Sequence, residues 1–178
     1  LVAGGDTLLA KGKGDPDAVA GRAGLGDLAT QVSRALKAKG MTNVTVLVDT
    51  SYAPGPLTNS AWPSDYRASG ISSAVATLGL ADQRSLPGRP GPADPIKATQ
   101  AAFITELHTQ GITATPGDQI AVAPAVDKQQ LLGVVVSAPV TAQLALALTD
   151  SDNGLTESLA RQAAWRSAKA RDFPTVGD

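Results

Sequence analysis

The sequence predicts a mixed α/β (α+β) fold, on three observations. Apolar residues recur at helical spacing in several stretches, two of which stop at a glycine. Short apolar runs, one with alternating valines, read as strands between them. Two proline-rich segments, one at Pro54 and Pro56 and the other from Pro87 to Pro95, divide the chain with loops. Strict strand–helix alternation is missing, so helices and strands are expected to mix without a regular doubly wound order.

Each element has its own signal. Val2-Ala3 running into Gly4-Gly5-Asp6 predicts a short strand and a turn, and residues 11–24, rich in Gly, Asp and Lys, read as an exposed loop. From Asp27 to Lys39 the residues Leu28, Val32, Ala35 and Leu36 keep helical spacing, and Gly40 stands where a C-terminal cap belongs. Val44, Val46 and Val48 alternate with Thr45, Leu47 and Asp49, a strand with both faces fairly apolar. Asp94-Pro95 is a capping residue followed by a first-turn proline, and the helix it opens turns Ile96, Phe103, Ile104 and Leu107 inward and stops at Gly111. Ile120–Ala123 and Leu131–Ser137 read as two further strands. Pro139 opens a helix with Val140, Leu144, Ala147 and Leu148 on one face. Residues 151–153 interrupt it, and a last helix from about Gly154 to Ala170 is expected to bury Leu155, Leu159, Ala163 and Ala164. The order helix, glycine, short strand occurs twice, at 27–48 and 94–123, with Ala-Thr-Gln near each start. Residues 1–130 group as one α/β module and 131–178 as a strand, helix, loop and helix.

Composition removes several classes of function. The 178 residues carry 15 Lys and Arg against 16 Asp and Glu, so no sequence-wide basic field favours nucleic acid as a partner. With no cysteine there are no disulfides, thiolate metal sites or cysteine nucleophiles, and the one histidine, His108, cannot build a histidine-rich metal site. No apolar run approaches the roughly 18 residues of a membrane span. Apolar residues make up 43%, but there are only two each of Trp, Tyr and Phe. Small side chains each bury little area, at roughly 25 cal/mol per Å², so the core depends on close packing of regular elements.

The densest polar run is Asp150-Ser151-Asp152-Asn153-Gly154, and three readings compete for it. Ser, Asp and Asn are all good helix N-caps, and Glu157 suits a first turn. Asp150 and Asp152 have the opening spacing of a calcium loop, but Gly154 stands where a further oxygen ligand belongs and no Glu closes a twelve-residue loop. The third reading is the Ser-Asp-Asn element of penicillin-binding enzymes. Elsewhere, Asp15 and Asp17 around Pro16 suit a turn, and His108 in the last turn of a helix suits the C-terminal dipole. Lys11, Lys13, Arg22, Arg34, Lys37 and Lys39 make the first third mildly basic, a solvated face or a contact for an anionic polymer.

Wider context favours the third reading of 150–154. Ser137-Ala138-Pro139, an apolar helix, then Ser151-Asp152-Asn153 and Leu155-Thr156-Glu157-Ser158-Leu159-Ala160-Arg161 resemble the D-alanyl-D-alanine carboxypeptidases with a long insertion. Leu1-Val2-Ala3-Gly4-Gly5-Asp6 is similar to that family's Leu-Val-Gly-Gly-Gly-Asp-Pro, although Thr7 stands in place of the proline. Val48-Asp49-Thr50-Ser51-Tyr52 with Gly55-Pro56 and Trp62 resembles its Asp-x-Ser-x-Phe-x-Gly-Pro and Trp, and Asp94-Pro95 before an Ala-rich helix also matches. The likeness runs through nearly the whole chain in the family's order.

The resemblance implies a serine peptidase of the cell wall, outside the cytoplasmic membrane, with no cofactor and no metal. Its partners would be peptidoglycan stem peptides and β-lactams. Ser151 would relay a proton during acyl transfer, and Asn153 would bind substrate and the lysine beside the nucleophile. Trp62 and Tyr66 either wall the substrate cleft or cover a small core. The family's Ser-x-x-Lys and Lys-Thr-Gly motifs are not in this chain: no serine has lysine three residues on, Ala98 follows Lys97 and Gln129 follows Lys128. The expectation is therefore the middle of a larger enzyme, with 1–130 the inserted module and 131–178 part of the peptidase domain. The alternative is a non-catalytic extracytoplasmic α/β module that binds or positions a wall component.

Overall fold

A computed structural model describes residues 1–120 and 131–168. In chain order the elements are β1 (Asp6–Leu9), α1 (Leu25–Ala38), β2 (Asn43–Asp49), β3 (Leu78–Leu80), α2 (Pro95–Thr109), β4 (Thr113–Ile120), α3 (Val140–Thr149) and α4 (Asn153–Ala168). The strands form two parallel pairs, β1 with β3 and β2 with β4. Val2 bridges to Asp49, and the Ala3 N–H donates to the Asp49 carbonyl at 2.9 Å, so the first residues run beside β2 before continuing into β1. The mixed α/β class expected from the sequence is therefore present.

Successive residues of a strand face opposite ways, and β1 shows what that does to the layers. Leu9 joins one apolar cluster with Leu25, Leu28 and Leu36 of α1, Val46 and Val48 of β2, and Ile96, Phe103 and Leu107 of α2. Leu8 joins a second cluster with Ala147 of α3 and with Leu155 and Leu159 of α4. Helices α1 and α2 thus pack on one side of the strands and α3 and α4 on the other.

The local signals of α1 and α2 act as expected. Gly40 takes φ +70° just past α1 and Gly111 takes φ +73° just past α2, conformations that carry no Cβ penalty in glycine. Asp94 caps α2 by accepting from the Lys97 N–H at 3.0 Å, with Pro95 at the first helical position. All four residues expected to face inward from α2 are buried.

Several elements differ from expectation. The opening stretch bridges β2 at Val2 and turns at Gly4-Gly5 as expected, but Asp6, read as part of that turn, already belongs to the next strand. Gly5 bends at φ +98° and the chain resumes as β1. β3 was not visible in the sequence because its three buried residues are too short to show a period. β4 begins at Thr113 and ends at Ile120, and residues 121–123 lie outside the described residues. Strand β4 runs through Pro116; among the described residues it pairs with β2 alone, and an edge strand tolerates proline. The β2 face expected to be apolar on both sides leaves Leu47 exposed. Leu131–Ser137 forms no strand, because an apolar run needs a neighbouring backbone to pair with. The Gln31 carboxamide instead takes both the N–H and the carbonyl of Val134, each at 3.0 Å. Helix α3 forms as expected but buries Gln143 and Ala147, leaving Val140, Leu144 and Leu148 exposed. In α4, Leu155 and Leu159 are buried as expected, Ala163 is exposed and Ala164 half-buried, and Ser158 and Arg161 are buried in their place.

One side chain repairs the irregular register of the β2–β4 ladder. Val46 pairs with Pro116 but Val48 with Gln119, so β4 carries an extra residue at Gly117-Asp118. Gln100, 5% exposed, donates from its amide nitrogen to the carbonyls of Val46 at 2.7 Å and Gly117 at 2.8 Å, the two sides of the break. Gln100→Leu removes the shared donor while keeping an apolar side chain of similar length. It is expected to lower stability by about 1–3 kcal/mol, read as a drop in urea midpoint at unchanged m-value; an unchanged midpoint would show that the break needs no donor.

Candidate functional site

Helix α3 gives way to α4 across three residues, and that turn carries the Ser-Asp-Asn run. Asp150 caps α3, Ser151 takes φ +53°, and the Asp152 N–H reaches back to the Ala147 carbonyl at 2.9 Å. This is the long bond of a Schellman ending, whose left-handed residue is usually glycine. With its Cβ, Ser151 holds that conformation at a cost of about 1–2 kcal/mol. Asp152 then starts α4: its Oδ1 accepts from the Leu155 N–H at 2.9 Å, and its carbonyl accepts from the N–H and hydroxyl of Thr156.

The turn is gripped from outside by Arg84, which follows the 3₁₀ turn Ala81–Gln83 at the end of β3. Its Nε donates to Asp152 Oδ2 at 2.7 Å and its Nη2 to Asp150 Oδ2 at 3.0 Å. Burial alone would lower the Arg84 pKa, but the hydrogen bonds and charges of Asp152 and Asp150 outweigh it and raise it. Gly154 completes the fit, since a Cβ there would collide with Ser73 Oγ. Asn153 donates from Nδ2 to the Ile71 carbonyl at 2.8 Å. Ser151 and Asn153 are both exposed, while Asp152 turns inward.

Below the turn, α4 is fastened through polar side chains that reach backbone carbonyls. Ser158 Oγ donates to Ala76 O at 2.7 Å, Arg161 to Val75 O and Pro56 O, and Gln162 to Gly5 O at 3.0 Å. Arg161 is only 2% exposed, and burial lowers its pKa, with the Glu157 charge acting in the opposite sense. Gly5 permits the approach, because a Cβ there would run into the Gln162 carboxamide.

A groove of about 680 Å³ lies beside α4, between the first six residues, segment 135–140 and the helix. Its walls are mostly apolar, with Asp6, Tyr52, Ser137, Gln143, Gln162 and Arg166 as polar members. Burial raises the Asp6 pKa above the ordinary carboxyl value, against the Ser137 hydroxyl and the Leu8 N–H, which pull it down.

No protein-family model, curated protein or solved structure matches this chain.

The structure keeps Ser151 and Asn153 together at the exposed turn but joins neither Trp62 nor Tyr66 to them. Both aromatics are half-buried in the loop between β2 and β3, and neither lines the groove or the small cavity beneath Asp152. The aromatic that does line the groove is Tyr52. His108 is exposed at the end of α2, and its Nε2 lies 2.9 Å from the Ala114 carbonyl, a structural tie to β4. Asp15 accepts from the Asp17 N–H at 2.9 Å, as a turn former does. Among the described residues no group of three or more His, Cys, Asp or Glu is placed to hold a metal, and no helix is long and apolar enough to cross a membrane. Arg84 had no signal in the sequence and Asp6 was read only within its opening turn and motif, since nothing local joins either to residues 137–152.

Asp6 gives the groove a pH signature. Its carboxyl holds a proton more tightly in the fold than in the unfolded chain, so the fold loses stability as pH rises from the ordinary carboxyl value through the raised folded one. Asp6→Asn keeps an acceptor for Leu8 and removes the ionisation. Its stability relative to wild type should therefore increase as pH rises from the ordinary carboxyl value through the raised folded one, measured by urea midpoints across that rise. A difference constant with pH would contradict the assignment.

Proposed function

We propose that the chain is the central part of a serine-type D-alanyl-D-alanine carboxypeptidase that acts on peptidoglycan stem peptides outside the cytoplasmic membrane. The observation that carries this reading is Ser151: an exposed serine at a left-handed helix ending, where glycine costs less, beside an exposed Asn153. Strain at a polar, exposed position is a signature of function more than of stability. The strip Val134, Val136, Val140, Leu144 and Leu148, with Val136 73% and Leu148 68% exposed, supports a module that packs against further polypeptide.

In this reading the nucleophilic serine and its lysine come from a part of the polypeptide other than residues 1–178. The serine oxygen attacks the carbonyl of the terminal peptide bond, the C–N bond breaks, and D-alanine departs after its amine takes up a proton. Water then hydrolyses the ester, restoring the serine hydroxyl and releasing the shortened peptide. Ser151 Oγ passes the proton towards the leaving amine. Asn153 has two N–H donors, one given to Ile71 O; the second, with Oδ1, orients the substrate amide and the lysine.

A second reading, a non-catalytic extracytoplasmic binding or scaffolding module, draws on the groove of about 680 Å³, which needs no nucleophile to hold a ligand. Acylation separates the two. The 178-residue chain is expected to form no covalent adduct with a fluorescent penicillin by intact mass, and the longer polypeptide carrying Ser-x-x-Lys is expected to form one. In that polypeptide Ser151→Ala and Ser151→Gly should both slow acylation by ~10²–10⁴-fold, while Ser151→Gly raises stability by about 1 kcal/mol through relief of the left-handed strain. Wild-type acylation by both variants would defeat the catalytic assignment.

A further inference from the structure

We propose that Arg84 is the positioning residue of the Ser151–Asn153 turn, and that the segment leading from β2 to α2 therefore acts as a brace for that turn. The guanidinium is a rigid planar fork, and its Nε and Nη2 engage two carboxylates at once, at 2.7 and 3.0 Å. Those carboxylates, Asp150 and Asp152, are the immediate neighbours of Ser151. Holding both fixes the backbone on each side of the left-handed residue and leaves it little freedom to relax. The contact is long-range, 68 and 66 residues apart in sequence, so local helix signals cannot replace it. Its Asp152 half is well sheltered, with the Arg84 side chain 17% exposed and that of Asp152 8%, while the Asp150 side chain is 40% exposed. Asp152 has a second duty as cap of α4, so the same grip sets where α4 begins and hence where Asn153 stands.

Two further contacts come from the same segment. The Ile71 carbonyl accepts from Asn153, and Ser73 packs against Gly154. Asn153 and both neighbours of Ser151 are thus held from residues 71–84, while Ser151 and Asn153 stay exposed. A lysine at position 84 would keep the charge but offers a single ammonium, which cannot span both carboxylates in the same fork geometry. The proposal concerns the turn itself; its consequence for acylation rests on the function proposed above.

The test uses the 178-residue chain first. Arg84→Met and Arg84→Lys are labelled with ¹³C and ¹⁵N, and three signals are followed by NMR: the Ser151 Cα and Cβ shifts, the Asn153 side-chain amide, and Leu155 N–H exchange. Amides of β2 serve as control. The expected result is loss of the left-handed Ser151 shifts and faster Leu155 exchange in Arg84→Met, a partial return in Arg84→Lys, and unchanged β2 amides. Asp150→Asn, which leaves the Asp152 pair intact, is expected to give a smaller change of the same kind and keeps the test open if Arg84→Met does not fold. Unchanged Ser151 and Asn153 signals in Arg84→Lys and Asp150→Asn overturn the proposal. In the longer polypeptide, Arg84→Lys is expected to slow penicillin acylation by on the order of 10²-fold, as misplacement of a reacting group does. A turn that moves in Arg84→Met while Ser151→Ala leaves acylation unchanged would uphold the brace and defeat the carboxypeptidase reading; a turn that stays fixed defeats the brace alone.

Discussion

Backbone carbonyls that no strand reaches govern how this chain closes. Strand β1 has four residues and β3 only three, and the stretch from Thr50 to Thr77 has no ladder of its own. Peptide groups in such a stretch lose their water when helices pack over them, and a buried carbonyl without a donor costs about as much as a lost hydrogen bond. The helices answer with side chains. Asn153, Ser158 and Arg161 of α4 donate to Ile71, Ala76, Val75 and Pro56, Gln162 donates to Gly5, Gln143 to Ala138, and Gln100 to Val46 and Gly117. This is why α4 buries Ser158 and an arginine where a simple apolar stripe would place alanines.

The two Ala-Thr-Gln runs gain a physical meaning from the same constraint. In α1, Thr30 bonds back to the Gly26 carbonyl and Gln31 pairs with Val134; in α2, Thr99 bonds back to Pro95 and Gln100 spans the β2–β4 break. In each helix the threonine is tied within its own turn and the following glutamine reaches sideways to backbone that lacks a regular partner. The two copies thus share a task, supplying amide groups where strand pairing stops, whether or not they share an origin.

What could be read from the sequence was whatever depends on neighbours a few residues away. The caps of α2, the glycines past α1 and α2 and the alternating valines of β2 are all local, and all stand; the break expected at 151–153 is present one residue earlier, between Thr149 and Asn153. What failed depends on distant partners. Leu131–Ser137 has the composition of a strand but no neighbour to pair with, and β4 forms through Pro116 and Gly117 because β2 lies alongside. The helical spacing of Val140, Leu144 and Leu148 was correct, yet which face is covered depends on what packs there, and the covered face carries Gln143 and Ala147. At the candidate site, the capping character of the 150–154 run was legible, and Asp152 caps α4. Arg84 was not, because its reason for being there lies in a turn that follows it by more than sixty residues.

Charge and strain meet at that turn. Two carboxylates flank Ser151, and left alone they would repel each other and draw the turn open towards water. At 4 Å, like charges interact by about 1 kcal/mol in water and about 4 kcal/mol at the effective dielectric near a protein surface. Arg84 reverses the sign of that interaction and leaves the cluster with one net negative charge among three groups. Because Asp152 is also the helix cap, separating it from Arg84 would disturb the start of α4 as well as an ion pair. The left-handed serine, costly by itself, is then the least expensive conformation available to a residue fixed on both sides. On the function proposed above, an exposed serine on a backbone fixed in this way would need less ordering before it acts, which would balance the stability glycine would have supplied at the same position.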